Sequence, residues 1–290
     1  VKIIRTIPEF KKEILEIKQA NQTIGFVPTM GFLHEGHAAL MQQARKEVDY
    51  LVASIFVNPL QFGENEDFDS YPKDEVHDQA LASANGVDLL FIPTVTEMYP
   101  RAMGITMDVN ERIGVLCDRS RPGHFQGVLT VVSKLFHLVE PDFAYFGTKD
   151  AQQVAIIELL IANLSFNITL RMVPTVRERD GLAKSSRNVN LSVAERQEAR
   201  HLYQALKRGE AKIIDGEKNP DKIMRVVRKH LEQSLSARID YVEVLAFPEL
   251  MEVALINQPI IIAVAVHFTQ ARLIDNIIID VHGNRITSLD

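Results

Sequence analysis

A single cysteine, Cys117, stands in the 290-residue chain, so no intramolecular disulfide is available. A solitary thiol of this kind reads as a small buried hydrophobe rather than a nucleophile. No cationic stretch leads into an apolar segment at the start of the sequence, which with the lone thiol sets the expectation of a cytoplasmic protein. Because the sequence opens on Val1 and not on Met, residues are expected to be missing upstream. Long apolar runs are lacking too. The longest, 259–266, falls far short of the roughly 20 residues a membrane span needs, and its β-branched content reads as a buried strand. Positive charge is in deficit: 32 Lys and Arg against 38 Asp and Glu give a net charge of -6. That leaves no basic field for a polyanion and excludes nucleic acid as a main partner, while a local pocket for a nucleotide stays open. Internal repeats and low-complexity linkers are absent. What is there is globular, with 46% hydrophobic and 24% charged residues, enough for one large domain or two ordinary ones.

The first half alternates β-branched runs at 23–27, 50–57, 87–93, 143–146 and 168–176 with helical periods at 38–47, 74–85, 128–139 and 151–163. Such alternation predicts a parallel sheet covered by helices. After residue 176 the rhythm changes to helices at 193–214 and 220–235, turned at Gly216 and Pro220, followed by strands at 239–245, 259–268 and 273–281. The expected organisation is an α/β domain over 1–176 and a smaller α+β domain over 177–290. The charges Glu195, Arg196, Glu198, Arg200, Lys207 and Arg208 read as a solvated helix face.

Chemistry concentrates after strand ends, where open parallel sheets bind ligands. The segment Pro28-Thr29-Met30-Gly31-Phe32-Leu33-His34-Glu35-Gly36-His37 joins a strand to a helix. Helix-start N–H groups, the dipole and close glycine backbone favour an anion there, and two imidazoles add donors. Gly31 and Gly36 have P-loop spacing, yet His37 and Ala38 stand where that motif needs Lys and a hydroxyl, which argues against a P-loop NTPase. The paired histidines could also be metal ligands, but a third strong ligand is not evident nearby. The reading favours nucleotide phosphate and no resident metal.

Further candidates are weaker alone. Asn58 and Gln61 bring amides to the sheet edge, or Asn58-Pro59 simply ends a strand. In Gly147-Thr148-Lys149-Asp150-Ala151-Gln152-Gln153, Gly147 permits close approach and Asp150 suits a ribose, although an N-cap would also explain it. Lys149 is harder to dismiss, since a cation is disfavoured at a helix start without an anion nearby. The loop Asp180-Gly181-Leu182-Ala183-Lys184-Ser185-Ser186-Arg187-Asn188 has the composition of a flap over phosphates, or of a solvated loop at the domain boundary. Arg121-Pro122-Gly123-His124-Phe125 adds cations beside a turn.

Together these motifs, with Phe56-Val57-Asn58-Pro59-Leu60-Gln61-Phe62, resemble the pantothenate synthetase (pantoate–β-alanine ligase) family in the expected order over the first two-thirds of the chain. The resemblance implies a Rossmann-like nucleotidyltransferase domain with the HxGH motif, a smaller C-terminal domain that helps close the site, and a homodimer. It implies condensation of pantoate with β-alanine at the expense of ATP, through a pantoyl adenylate, with magnesium carried mainly by the phosphates. It places His34, His37, Lys149, Ser185, Ser186 and Arg187 at the ATP phosphates and Gly147 and Asp150 at the ribose. Pro28, Thr29, Met30, Gly31, Gly36, Val176 and Lys184 complete the nucleotide contacts. Pantoate is expected against Met30, Phe56, Asn58, Gln61 and Gln153. The serine loop is similar to the phosphate-gripping loop of class I aminoacyl-tRNA synthetases, which share the histidine signature. Two positions depart from the family pattern: Lys184 stands where Met or Leu is usual, and Asp118 where Gly is common.

Overall fold

A computed structural model of the chain describes residues 1–63 and 68–289. The chain separates into two compact units, the first made of Val1–Asn110, Arg121–Gly147 and Ile156–Val173, the second of Glu111–Ser120, Thr148–Ala155 and Pro174–Asp290. A single cut near residue 176 was expected from the rhythm of the sequence. The second unit instead also takes two short segments from the first half of the chain.

The elements of the first half are β1 (Lys2–Ile4), α1 (Ile7–Gln19), β2 (Ile24–Thr29), α2 (Glu35–Arg45), β3 (Tyr50–Ile55), α3 (Glu75–Ala84), β4 (Leu89–Phe91), α4 (Val95–Met98), α5 (His124–Val139), β5 (Phe143–Gly147), α6 (Ala151–Asn163) and β6 (Thr169–Val173). The strands form a parallel sheet in the order β1-β4-β3-β2-β5-β6. This is the Rossmann-like arrangement, with its order reversing between β2 and β5. Strands buried on both faces need continuous apolar sequence, which Ile24 to Val27 and Leu51 to Ala53 supply. Ligand chemistry belongs at the carboxyl edge where the order reverses, and β2 runs there into the histidine segment.

Several boundaries differ from those expected. β1 and α1 were not anticipated; β1 has only three residues and gains its partner from β4, far along the chain. α2 begins at Glu35 rather than near residue 38, because His34 and His37 cap it. α5 begins at His124 rather than 128, behind Gly123 in the left-handed conformation at φ 80. The strand expected over 168–176 stops at Val173, ahead of Pro174, which cannot donate to a ladder.

The second unit contains α7 (Val193–Ala199), α8 (His201–Ile214), α9 (Pro220–Ser234), β7 (Arg238–Ala246), β8 (Ile260–His267) and β9 (Arg272–Ile279). The strands form an antiparallel sheet in the order β7-β8-β9. Leu202, Leu206, Ile223, Val227 and Leu231 from the helices pack against Val242, Ile262, Val264 and Ile277 of the sheet. The single helix expected over 193–214 is divided at Arg200. Three of the charges expected on a solvated face are bound: Glu195 caps α7 and accepts from the Thr269 amide, Arg196 pairs with Asp180 and Glu178, and Glu198 accepts from Ser236. Cys117 is half-exposed rather than buried, with its sulfur 3.5 Å from the Tyr241 hydroxyl. Among the described residues no helix is long and apolar enough to cross a membrane.

Candidate active site

In the first unit the histidine segment is built by interlocking hydrogen bonds. His34 Nδ1 accepts from the Gly36 amide at 3.0 Å, and His37 Nδ1 accepts from the His34 amide at 3.2 Å. The two rings lie 4.2 Å apart between centroids. An imidazole whose Nδ1 accepts carries its proton on Nε2 when neutral, so both rings are held as Nε2–H donors. Gly36 is required by the same packing, since a Cβ there would stand 2.7 Å from His34 Cε1. Upstream, Gly31 and Phe32 take φ values of 85 and 50, and the turn is fastened from α3. Asp78 Oδ2 accepts from Phe32 at 2.9 Å and Oδ1 from Leu33 at 2.6 Å, while His77 Nε2 stands 3.1 Å from the Leu33 carbonyl. Burial pushes the Asp78 pKa up against the opposing effect of those two amides. Thr29 closes the end of β2, donating to the Ser54 carbonyl and accepting from Gly31.

A second cluster lies in the same unit. Asn58, 1% exposed, donates to Gln61 Oε1 and the Gly127 carbonyl, both at 3.1 Å, and accepts from Tyr99 at 3.0 Å and Leu60 at 3.3 Å. Its hydrogen-bonding groups are spent within the protein, which differs from the expectation that Asn58 contacts substrate. Burial pushes the Tyr99 phenol up to about 12, keeping it a donor. Gln61 is thereby oriented with Nε2 3.1 Å from the Met30 sulfur, a weak acceptor that a substrate oxygen would readily replace. Phe56 packs edge-on to Tyr99. The Gln61 carbonyl is held by His124 Nδ1 at 2.8 Å and Arg121 Nη2 at 3.3 Å, so the Arg121-Pro122-Gly123-His124 turn buttresses Gln61.

In the second unit, Lys149 and Asp150 lie on the 3₁₀ turn Thr148–Asp150. Among the described residues the half-buried Lys149 ammonium has no carboxylate partner, and the exposed Asp150 carboxylate accepts no hydrogen bond, so it does not act as a cap. The adjacent glutamines divide. Gln152 accepts from Cys117 and donates to the Arg112 and Val115 carbonyls, whereas the Gln153 amide makes no hydrogen bond among the described residues. The serine loop leaves a small hairpin in which the Lys184 amide donates to the Val176 carbonyl at 2.9 Å. Ser185 Oγ accepts from the Arg187 amide, and Asn188 donates to the Ala183 carbonyl. Lys184, Ser185, Ser186 and Arg187 are all half-buried. The Arg196 guanidinium holds the Asp180 carboxyl below its usual range.

The family model for pantoate-beta-alanine ligase matches residues 2–278. The chain belongs to the pantoate-beta-alanine ligase family. Pantothenate synthetases of Geobacillus sp. strain WCH70 and Bacillus pumilus strain SAFR-032 are 53% and 54% identical to it, over 95% and 96% of this chain and 98% and 96% of theirs. The crystal structure of pantothenate synthetase from Thermus thermophilus superposes with a TM-score of 0.91 at 41% identity, covering 97% of this chain and all of that one. A pantoate-beta-alanine ligase from Francisella tularensis, crystallised with beta-gamma ATP and β-alanine, matches with a TM-score of 0.78 at 33% identity over 95% and 97% of the two chains. The protein is therefore a ligase of pantothenate biosynthesis that joins pantoate to β-alanine.

As a pantoate-beta-alanine ligase the chain tolerates its two departures simply. Asp118 is not in the left-handed region, and its carboxylate accepts from the Gly114 amide at 2.8 Å, tying its own turn. Lys184 contributes its backbone to the hairpin whatever its side chain. Two supporting residues of the first unit escaped sequence reasoning, namely Asp78, which lies buried on the same face of α3 as Ala82, and Tyr99.

Proposed function

We propose that the ligation runs in two steps, with the pantoate carboxylate attacking the α-phosphorus of ATP to give pantoyl adenylate and pyrophosphate, and the β-alanine amine then displacing AMP. The observation that carries this reading is the pair of imidazoles locked as Nε2–H donors at the start of α2. A carboxylate with a pKa of about 4 is already ionised, so the first step needs electrostatic help rather than a base. Two anions must meet while charge moves onto pyrophosphate. His34, His37, Lys149, Ser185, Ser186 and Arg187 take the phosphates in this reading, and Lys149, with no carboxylate partner among the described residues, is suited to one of them. Gly147 and the carboxylate of Asp150 take the ribose, with Pro28, Met30, Gly31, Gly36, Val176 and Lys184 around the nucleotide.

Gln61 and Gln153 read the pantoate oxygens, with Met30 and Phe56 against its methyl groups. Asn58 acts through Gln61 and Thr29 through the turn. In the second step the amine attacks the acyl carbon, the bond to AMP breaks, and the amine proton leaves to solvent or to a group of the site. Keeping the mixed anhydride from water demands closure, which we assign to the serine loop.

Among the described residues no group of three or more His, Cys, Asp or Glu side chains is arranged to hold a metal. Magnesium enters this reading as part of the MgATP substrate, where it offsets phosphate charge. The proposal is completed by a homodimeric, cytoplasmic enzyme.

The test is pantoate-dependent exchange of labelled pyrophosphate into ATP, with magnesium and without β-alanine. Exchange supports a reversible adenylate. A folded, ATP-binding protein that ligates pantoate to β-alanine without exchange would point to a concerted route and remove the adenylate.

A further inference from the structure

The second unit contains an arrangement that accounts for how its phosphate-facing groups keep their places. β9 carries Asp275 and Asn276, both buried, at 2% and 7% exposure, on a strand otherwise rich in isoleucine. Buried polar groups on such a strand call for a reason, because each must recover the hydrogen bonds it gives up to water. Asn276 recovers them in one place: its Nδ2 donates to the Thr148 carbonyl at 3.0 Å and to the Lys149 carbonyl at 2.9 Å. A carboxylate of the same shape could do neither, since it has no N–H to give.

Asp275 addresses a different segment. Arg177 Nη1 donates to its Oδ2 at 2.6 Å and Nη2 to its Oδ1 at 2.9 Å, a two-pronged pair with the side chains 16% and 2% exposed. The same Nη1 reaches the Gly181 carbonyl at 3.1 Å, and the guanidinium lies 3.7 Å above the Tyr203 ring. Gly181 has φ 98, and a Cβ there would stand 2.6 Å from Tyr203 Cδ1. The root of the serine loop is thus fixed at a glycine by a guanidinium that Asp275 orients.

We infer that Asn276 and Asp275 are positioning residues for ATP binding: Asn276 holds the Lys149 backbone, and Asp275, through Arg177, holds the root of the loop that carries Ser185 to Arg187. This rests on the proposed phosphate roles of Lys149 and Arg187. Neighbours on one strand thereby set two separate groups through their side chains, while the Asn276 backbone joins the Asp275 side, its amide donating to Asp275 Oδ1 at 2.8 Å and its carbonyl lying 3.5 Å from Arg177 Nη2.

The separate routes supply a test that general loosening of the fold does not satisfy. MgATP binding is measured by calorimetry for Asn276→Asp, Asp275→Asn, Lys149→Ala, Arg187→Ala and the four cross-combinations, with melting temperatures recorded for each. Asn276→Asp, which loses both donated hydrogen bonds, and Asp275→Asn, which loses one charge-assisted acceptor, are each expected to weaken MgATP about tenfold or more. Asn276→Asp should then add little to Lys149→Ala but its full effect to Arg187→Ala, and Asp275→Asn should do the reverse. Asn276→Ala, which removes the donors without adding charge, carries the same cycle if Asn276→Asp does not fold. Unchanged MgATP affinity in Asn276→Asp, or equal coupling to both partners, overturns the inference alone. If Lys149→Ala and Arg187→Ala bind MgATP as the unaltered protein does, their phosphate roles fall and this inference falls with them.

Discussion

The carboxylate of Asp78 accepts the Leu33 amide at 2.6 Å and, through its other oxygen, the Phe32 amide at 2.9 Å. One side chain from α3 therefore fixes two consecutive amides directly ahead of His34. In Asp78→Ala both amides lose their acceptor, at a cost of about 1–3 kcal/mol for each that stays dry. Lower denaturant midpoints and slower pantoate-dependent exchange are expected together.

The same residue gives a pH dependence. Burial raises the Asp78 pKa above the ordinary value of 3.8, so its contribution to stability is full below that value and declines as pH rises through the raised one. Asp78→Asn abolishes that decline. Urea denaturation over a pH series should show the variant gaining on the unaltered protein as pH rises through this range, and parallel curves would count against it.

His37→Ala and Lys149→Ala are expected to lose on the order of 10²–10³ in exchange rate, by analogy with the loss of one oxyanion donor. The fold should survive each, since Lys149 makes no ion pair among the described residues and His37 is half-buried on the first turn of α2, outside the apolar core. Full activity in either purified variant would remove the role assigned to it.

Gln61→Ala should raise the KM for pantoate more than that for ATP, because the amide is oriented toward Met30 and held by Asn58. Asn58→Asp should act in the same direction at a stability cost of about 1–3 kcal/mol, since a carboxylate would face Gln61 Oε1 and the Gly127 carbonyl. Equal losses for both substrates in steady-state kinetics would argue against this pocket.

Gly127 lies where α5 meets the turn before Gln61, and a Cβ there would sit 2.1 Å from the Leu60 carbonyl oxygen. Since backbone must move, Gly127→Ala should destabilise by about 1–3 kcal/mol or more and weaken pantoate through displacement of Gln61. Thermal melting and pantoate titration check both effects.

Glu195 accepts from the Thr269 and Ser192 amides, which push its carboxyl down to about 2. The sign is that of a depressed acid: its stabilisation is present above the ordinary value of 4.5 and is lost as pH falls through about 2. Glu195→Gln should therefore be less stable than the unaltered protein at neutral pH, with the difference closing toward pH 2.

The parallel sheet, the helices-then-strands order of the last third of the chain and the strand-to-helix junctions were legible because each is written locally. Burial on both faces demands uninterrupted apolar strands such as 24–27, and short polar segments between strand and helix carry their chemistry in their own residue types. β1 was not legible, because three residues at a sheet edge owe their state to β4. The early start of α2 was hidden in side chains that cap it, and histidine is an uncommon cap.

The amino-acid sequence by itself determined which groups are available: two imidazoles around a glycine, a lysine at a helix start, and a serine loop with cations. Tertiary structure alone decided which of them are spent. Asn58 looks like a binding amide in the sequence, yet Gly127 and Tyr99 from distant segments take up its donor and acceptor; Gln152 is spent on Cys117 and Arg112, while the adjacent Gln153, the amide expected at the substrate, keeps its own among the described residues. The grip of Asp78 on the Leu33 amide and the hold of Asn276 on Lys149 likewise depend on where remote backbone groups come to rest. Hydrogen bonds are satisfied in space and not along the chain, so the sequence names the functional groups and the fold selects those left to work.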